Sequence, residues 1–284
     1  MAPQLRIATR GSPLARWQAD HVAELLADAV PGVITEIVVV STEGDRRKDV
    51  PLTELGGKGV FVKEIQAAVL EGSADIAVHS AKDLPALTPD GLQLAAVPRR
   101  ADARDALVGS ALGDLGPGAS VGTGSARREA QLRSLRPDLD VTGLRGNIAT
   151  RLSKVGELDA VVIAAAALHR LGQTELIDEA LAVDVMIPQV GQGALAIESR
   201  LGELVDELSA IEHAASRRCV DAERAFLAEL GGDCDLPAGA HARLVDGDVV
   251  IGAVLEVDGE LRRADRRGSD ARSLGREVAR AVLA

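Results

Sequence analysis

Aromatic residues are almost missing from this chain: its 284 residues include two Phe, one Trp and no Tyr. Its cores must therefore be aliphatic, and the stacking platforms that hold single-stranded nucleic acid are lacking. Cysteine is equally scarce, at two. That excludes a disulfide framework and points to a reducing compartment, with a Cys219–Cys234 bridge as the minor alternative. Positive charge is outweighed: 32 Lys and Arg against 43 Asp and Glu leave a net charge of −11. This argues against general binding to nucleic acid or anionic membranes, but not against a local basic cleft. No apolar run reaches the ~18 residues that span a bilayer. The segment Met1-Ala2-Pro3-Gln4-Leu5-Arg6 has neither the basic nor the apolar region of a signal peptide. The expectation is a cytoplasmic protein with no nucleic-acid or membrane partner.

What the chain does have is 46% hydrophobic residues, enough for real cores, and a length suited to two or three domains. Strand and helix signals alternate. Residues 5–9 read as a strand. Ser12 suits an N-cap and Pro13 a first turn, opening a helix that Pro31-Gly32 ends. The β-branched run 34–40 reads as a parallel strand buried on both faces. Residues 42–59 form a polar loop of functional length, followed by a helix over 61–71 and a strand over 76–78. Residues 97–105 read as a crossover into a second α/β set. There, a strand ends at 120–122, a helix runs over 125–135, a strand over 141–144 and a helix over 148–155. A strand over 159–163 then feeds a helix ending near Leu168. Residues 188–193 look like a second crossing, with 194–198 returning to the first domain. A helix from about Ala214, clearest over 222–230, leads to Cys234. A small antiparallel sheet around 249–257 and a helix over 271–283 end the chain. No repeat of fixed period is visible, and the two βαβ sets look only loosely alike.

Three turns concentrate candidate chemistry. Gly122-Thr123-Gly124-Ser125-Ala126-Arg127-Arg128 opens a helix, where free N–H groups and forked guanidiniums attract carboxylate or phosphate. A solvated helix start with surface arginines is the plainer alternative. Leu144-Arg145-Gly146-Asn147-Ile148-Ala149-Thr150-Arg151 repeats the arrangement at another strand end, where open α/β sheets bind ligands. Arg10 follows the first strand in the same way. His79-Ser80-Ala81-Lys82-Asp83-Leu84-Pro85 puts Asp83 at a strand's carboxyl end, either to meet an N–H group or developing cation or to cap a helix. Gly56-Gly57-Lys58-Gly59 lacks phosphate-loop spacing. His213, Cys219, Cys234 and His241 match no zinc pattern, so no metal is expected, and Cys219 reads as packing. Gly231-Gly232-Asp233-Cys234-Asp235-Leu236-Pro237 presents a thiol on a glycine turn, the place for a covalent attachment or nucleophile.

Taken in order, these segments resemble the porphobilinogen deaminase (hydroxymethylbilane synthase) family over nearly the whole chain. The resemblance rests on Ile7-Ala8-Thr9-Arg10-Gly11-Ser12-Pro13-Leu14-Ala15, Gly56-Gly57-Lys58-Gly59-Val60-Phe61-Val62-Lys63-Glu64, Asp75-Ile76-Ala77-Val78-His79-Ser80-Ala81-Lys82-Asp83, Leu144-Arg145-Gly146-Asn147, Val190-Gly191-Gln192-Gly193-Ala194 and the cysteine turn. It implies an α/β fold of three domains: two lobes like type II periplasmic binding proteins (1–98 with 194–213, and 99–193) and a small α+β domain, 214–284. The active site would lie in the cleft between the lobes. Cys234 would hold a dipyrromethane cofactor by a thioether. Four porphobilinogen units would be added head to tail with loss of ammonia, and water would release the linear tetrapyrrole.

Asp83 would be catalytic, stabilising the azafulvene-like cation formed on deamination. Asp83, Lys82, Thr123, Ser125, Arg127, Arg128, Arg145 and Gly146 would hold the cofactor with Cys234. Arg10, Ser12, Arg145, Arg151, Arg170 and Gln192 would hold substrate carboxylates, with Lys58 and Phe61 on a lid. A monomer is implied. Three positions depart from the family: Asp233 where glycine is usual, raising the thiol pKa by repulsion, Gly124 where serine is frequent, and Glu54 where some members have lysine. A periplasmic-type sensor of anions would share the lobes but needs no cysteine turn. A cysteine acyl-transfer enzyme needs a base near Cys234, and only His241 is on offer.

Overall fold

The structure, a computed structural model, describes residues 4–42, 62–232 and 236–284. The expected lid with Lys58 and Phe61, most of the 42–59 loop, and Asp233 and Cys234 lie outside the described residues. In chain order the elements begin β1 (Gln4–Arg10), α1 (Pro13–Ala29), β2 (Ile34–Val40), α2 (Lys63–Leu70), β3 (Ile76–Ser80) and β4 (Leu92–Ala96). There follow β5 (Asp105–Val108), β6 (Ser120–Thr123), α3 (Ala126–Leu135), β7 (Asp140–Gly143), α4 (Ile148–Leu152), β8 (Ala160–Ala164), α5 (Ala165–Arg170) and β9 (Glu179–Ala180). The chain closes with β10 (Leu195–Arg200), α6 (Val205–Ser209), α7 (Ala214–Glu229), β11 (Ala238–Val245), β12 (Asp248–Val257), β13 (Glu260–Gly268) and α8 (Ala271–Leu283). Two compact units emerge: 1–100 with 194–218, and 101–193 with 219–284.

In the first unit the sheet order is β2-β1-β3-β10-β4. β1 is parallel to β2 and β3, while β10 is antiparallel to both its neighbours. Ser12 caps α1 by accepting from the Ala15 amide, and Pro13 opens it, as its sequence dictates. Val22 and Leu26 of α1 then pack on Leu5, Ile7, Ile76 and Ile197 of the sheet. β2 departs from expectation. It is the edge strand, so Ile34 and Val39 stay 59% and 49% exposed; its β-branched run suits an extended backbone and does not prove two-sided burial.

The second unit repeats this order in β7-β6-β8-β5-β9, again with three parallel strands, one antiparallel strand and an edge strand. The two sets are thus alike in topology where the sequence shows no repeat. Leu107, Val121, Leu132, Val162 and Met186 form its aliphatic core. The first crossing has no helix or strand over 97–104. The two crossings run side by side, the Ala101 amide donating to the Gly193 carbonyl at 3.1 Å. Gly193 has φ +83, and a Cβ there would meet the Ala101 and Asp102 carbonyls at 2.6 and 2.8 Å, so only glycine fits.

In the same unit β11, β12 and β13 form an antiparallel sheet. α8, capped by Asp270, packs on α7 so closely that a Cβ on Gly275 would collide with the Ala222 carbonyl. Gly275→Ala is expected to lower stability by about 1–3 kcal/mol through overpacking, read as a fall in melting temperature. The α7 helix starts at Ala214, earlier than its clearest stretch, and α4 ends at Leu152 instead of 155.

Candidate active site

In the first unit, β1 and β3 are parallel neighbours, so their carboxyl ends open on the same edge. Arg10 closes β1, and β3 runs into a 3-10 turn, Ala81–Asp83. The turn is pinned by the Ala81 amide donating to the Ala194 carbonyl at 3.0 Å. Arg10, Ser12, His79, Ser80 and Asp83 line one recess of about 50 Å³. Asp83 is exposed and its carboxylate has no hydrogen bond or ion pair among the described residues, nor does it cap the turn. Lys82 lies half-buried beside it.

Below this turn is a cluster that the sequence did not announce. Gln66 Nε2 donates to both oxygens of Glu198, at 2.9 and 3.2 Å. His79 Nε2 stands 3.2 Å from Glu198 Oε2 but off the line of a hydrogen bond. All three are buried, and they tie α2 and β10 to the strand that carries Asp83.

In the second unit β6 and β7 pair in parallel with Thr123 opposite Gly143, so their two turns share an edge. Thr123 Oγ1 accepts from the Ser125 amide at 3.2 Å, and Ser125 caps α3. A Cβ at Gly124 would collide with the Leu144 carbonyl; this backbone has no space for a serine side chain there. In the neighbouring turn Asn147 caps α4, and Gly146 has φ +103 with Thr150 Cβ 2.7 Å from where its own Cβ would stand, a conformation that favours glycine. Arg151 Nε donates to the Gly146 carbonyl at 2.8 Å. Arg145 is exposed and makes no hydrogen bond or ion pair among the described residues.

Arg127 and Arg128 are not on the surface, contrary to the plainer alternative. They are 2% and 5% exposed and both bind Asp105. Arg127 Nη1 donates to Asp105 Oδ2 at 2.8 Å and to the Ile187 carbonyl at 2.7 Å. Arg128 Nε and Nη2 reach Oδ1 at 2.9 and 2.7 Å, and its Nη1 donates to the Val162 carbonyl. Gln192 corrects its expected contact with substrate: it is fully buried, its Nε2 donating at 2.8 Å both to Asp105 Oδ1 and to the Ala103 carbonyl. It serves the scaffold because its donors are spent there. Arg170 Nη2 donates to the Gly193 carbonyl at 2.7 Å, and burial pushes its pKa down to about 10, leaving it a cation at neutral pH.

Asp105 escaped the sequence reading because it hides in a crossover; its one signal is an acid opening an apolar strand, Asp-Ala-Leu-Val, that is buried throughout. Burial alone would raise its carboxyl, but the charges of Arg127 and Arg128, with hydrogen bonds from Arg127 and Gln192, outweigh that and hold it well below the usual carboxylate range.

Leading to Cys234, α7 ends at Glu229, and Gly231 and Gly232 take φ 82 and 64, a left-handed turn suited to glycine. Cys219 is buried, in keeping with the packing role expected of it. No group of three or more acid, His or Cys side chains that could hold a metal occurs among the described residues. No helix of the described residues is long and apolar enough to cross a membrane.

Two family models match the chain: "Porphobilinogen deaminase, dipyromethane cofactor binding domain" over residues 5–205 and "Porphobilinogen deaminase, C-terminal domain" over 217–284. The chain belongs to the porphobilinogen deaminase family. Relatives of that name include one from Syntrophobacter fumaroxidans, 46% identical over 98% of this chain and 94% of its own. Another, from Roseiflexus castenholzii, is 47% identical over 100% and 97%. A nutrient binding protein from Burkholderia cenocepacia, solved bound to methionine, covers 74% of this chain and 92% of its own at 13% identity with TM-score 0.44, too distant to bear on function. As a porphobilinogen deaminase the chain is a transferase of tetrapyrrole biosynthesis with a dipyrromethane cofactor. The mixed α/β fold with a small C-terminal sheet is the one the resemblance implies.

Proposed function

We propose that Asp83 performs the chemistry of this porphobilinogen deaminase and that the cofactor is carried on Cys234. The carrying observation is the exposed Asp83 carboxylate, without a partner among the described residues, in a recess with Arg10 and Ser12. An anionic oxygen free of internal partners accepts pyrrole N–H groups and stabilises positive charge as ammonia leaves. Lys82, Arg10 and Ser12 bring cationic and hydroxyl donors for the acetate and propionate of porphobilinogen.

The residues of the second unit fit a polycarboxylate cofactor. Arg127 Nε and Nη2 are buried with no hydrogen-bond partner among the described residues, and a buried donor left unmade is costly. A ligand carboxylate is the acceptor that edge lacks. The dipyrromethane, when bound, would supply the free pyrrole carbon that takes the first unit of the growing chain. Arg128, Thr123, Ser125 and Gly146 set the turns around it, Arg145 and Arg151 meet the carboxylates of added units, and Arg170 holds the crossing at Gly193. Lys58 and Phe61 belong to the proposed lid. The three-domain division 1–98 with 194–213, 99–193 and 214–284, a monomeric state and a cytoplasmic location complete the reading. The separate C-terminal match supports a distinct third domain.

Arg145→Leu tests the carboxylate role. Losing charge-assisted hydrogen bonds is expected to raise KM for porphobilinogen by about tenfold or more. Arg145 is exposed, so the melting temperature stays unchanged. An unaltered KM contradicts the role.

A further inference from the structure

We propose that Asp105 is a positioning residue: it fixes the guanidinium planes of Arg127 and Arg128 so that one edge of Arg127 is kept free for a ligand carboxylate. This rests on the reading of Arg127 as a cofactor-carboxylate donor. Asp105 is fully buried and takes bonds from Arg127 Nη1, Arg128 Nε, Arg128 Nη2 and Gln192 Nε2. Two guanidiniums thus share one carboxylate, which leaves the cluster one positive charge in excess. Among the described residues, Arg127 spends only Nη1, on Asp105 and the Ile187 carbonyl, while Nε and Nη2 have no hydrogen-bond partner. Ile187 is itself fixed by Gln131, whose Nε2 donates to its carbonyl at 3.0 Å and whose Oε1 accepts from its amide at 2.8 Å. The Arg127 plane is therefore held from two sides through one nitrogen.

The cluster also reaches the helix that leads to Cys234. Gln192 follows Gly191, whose amide donates to Glu223 Oε2 at 2.7 Å, while Glu223 Oε1 accepts from the Ala242 amide at 2.8 Å. Glu223 is on α7 and is fully buried. One set of buried bonds thus connects the helix that precedes Cys234 in sequence with the arginine pair. Without the Asp105 charge the two buried guanidiniums repel each other and lose their common anchor.

The test compares Asp105→Asn, Asp105→Glu, Gln192→Met and Arg127→Lys with the parent. Three quantities are read: the fraction of folded protein carrying two pyrrole units on Cys234 by intact mass, KM and kcat of the loaded fraction, and melting temperature. Asp105→Asn is expected to lower the loaded fraction or raise KM by about tenfold, with kcat of loaded molecules little changed because Asp105 touches no reacting atom. Asp105→Glu restores part of the loss, which a purely structural defect does not do. If Asp105→Asn fails to fold, Gln192→Met decides, since it removes one bond to Asp105 and keeps every charge. Raised KM at a melting temperature close to the parent's supports the proposal. Parental loading and KM in whichever of the two folds overturn it. Arg127→Lys keeps a cation but loses the fork. If it loads and turns over like the parent, the reading of Arg127 falls and the positioning role with it. If it is impaired while the Asp105 and Gln192 variants are not, the positioning role alone falls.

Discussion

Asp83→Ala is expected to lower kcat by about two to four orders of magnitude, the usual scale for removing a group that stabilises transition-state charge or moves a proton. The fold should survive. Asp83 ends a 3-10 turn, is exposed and bonds to nothing among the described residues, so its removal leaves no buried group unsatisfied. The turn itself is held by backbone, through the Ala81 amide on Ala194. Melting temperature and circular dichroism should match the parent. Asp83→Asn separates charge from hydrogen bonding: it keeps an acceptor oxygen and loses the anion. A deep loss with Asn as well assigns the effect to charge. Near-parental kcat with Ala means Asp83 has been given the wrong role.

The second large effect is Cys234→Ser. A serine hydroxyl ionises far less readily than a thiol, so no thioether and no stable substitute form. The variant should lack the mass of two linked pyrroles and show no turnover, while folding normally around α7 and the small sheet. Nothing else in the chain offers a replacement thiol: the other cysteine, Cys219, is buried in α7. A Cys234→Ser protein that still carries the pyrroles contradicts the assignment.

Much of this was legible in the sequence where local chemistry decides. Ser12-Pro13, Ser125 and Asn147 each cap the helix they open. The strand ends that carry Arg10, Asp83 and Arg145 sit where βα turns should. The crossings at 97–105 and 188–193 fall at the division between the two units. What was hidden depended on partners far away in sequence. β2 looks buried from composition, yet only sheet order makes it an edge. β13, Glu-Leu-Arg-Arg-Ala-Asp-Arg-Arg-Gly, is highly charged, and it pairs with β12 along its length; charge on an edge strand deters unwanted pairing. Arg127 and Arg128 carry no mark of burial until Asp105, more than 20 residues upstream, is seen to bind them. Gln192 looked like a ligand contact because it flanks a glycine crossing, and the structure shows its amide already spent.

The most direct test of the account is the intact mass of the purified protein, with peptide mapping of the segment containing Cys234. The account predicts an added mass of two linked pyrrole units, located on Cys234. A protein that is unmodified, and stays unmodified after incubation with porphobilinogen, would contradict it.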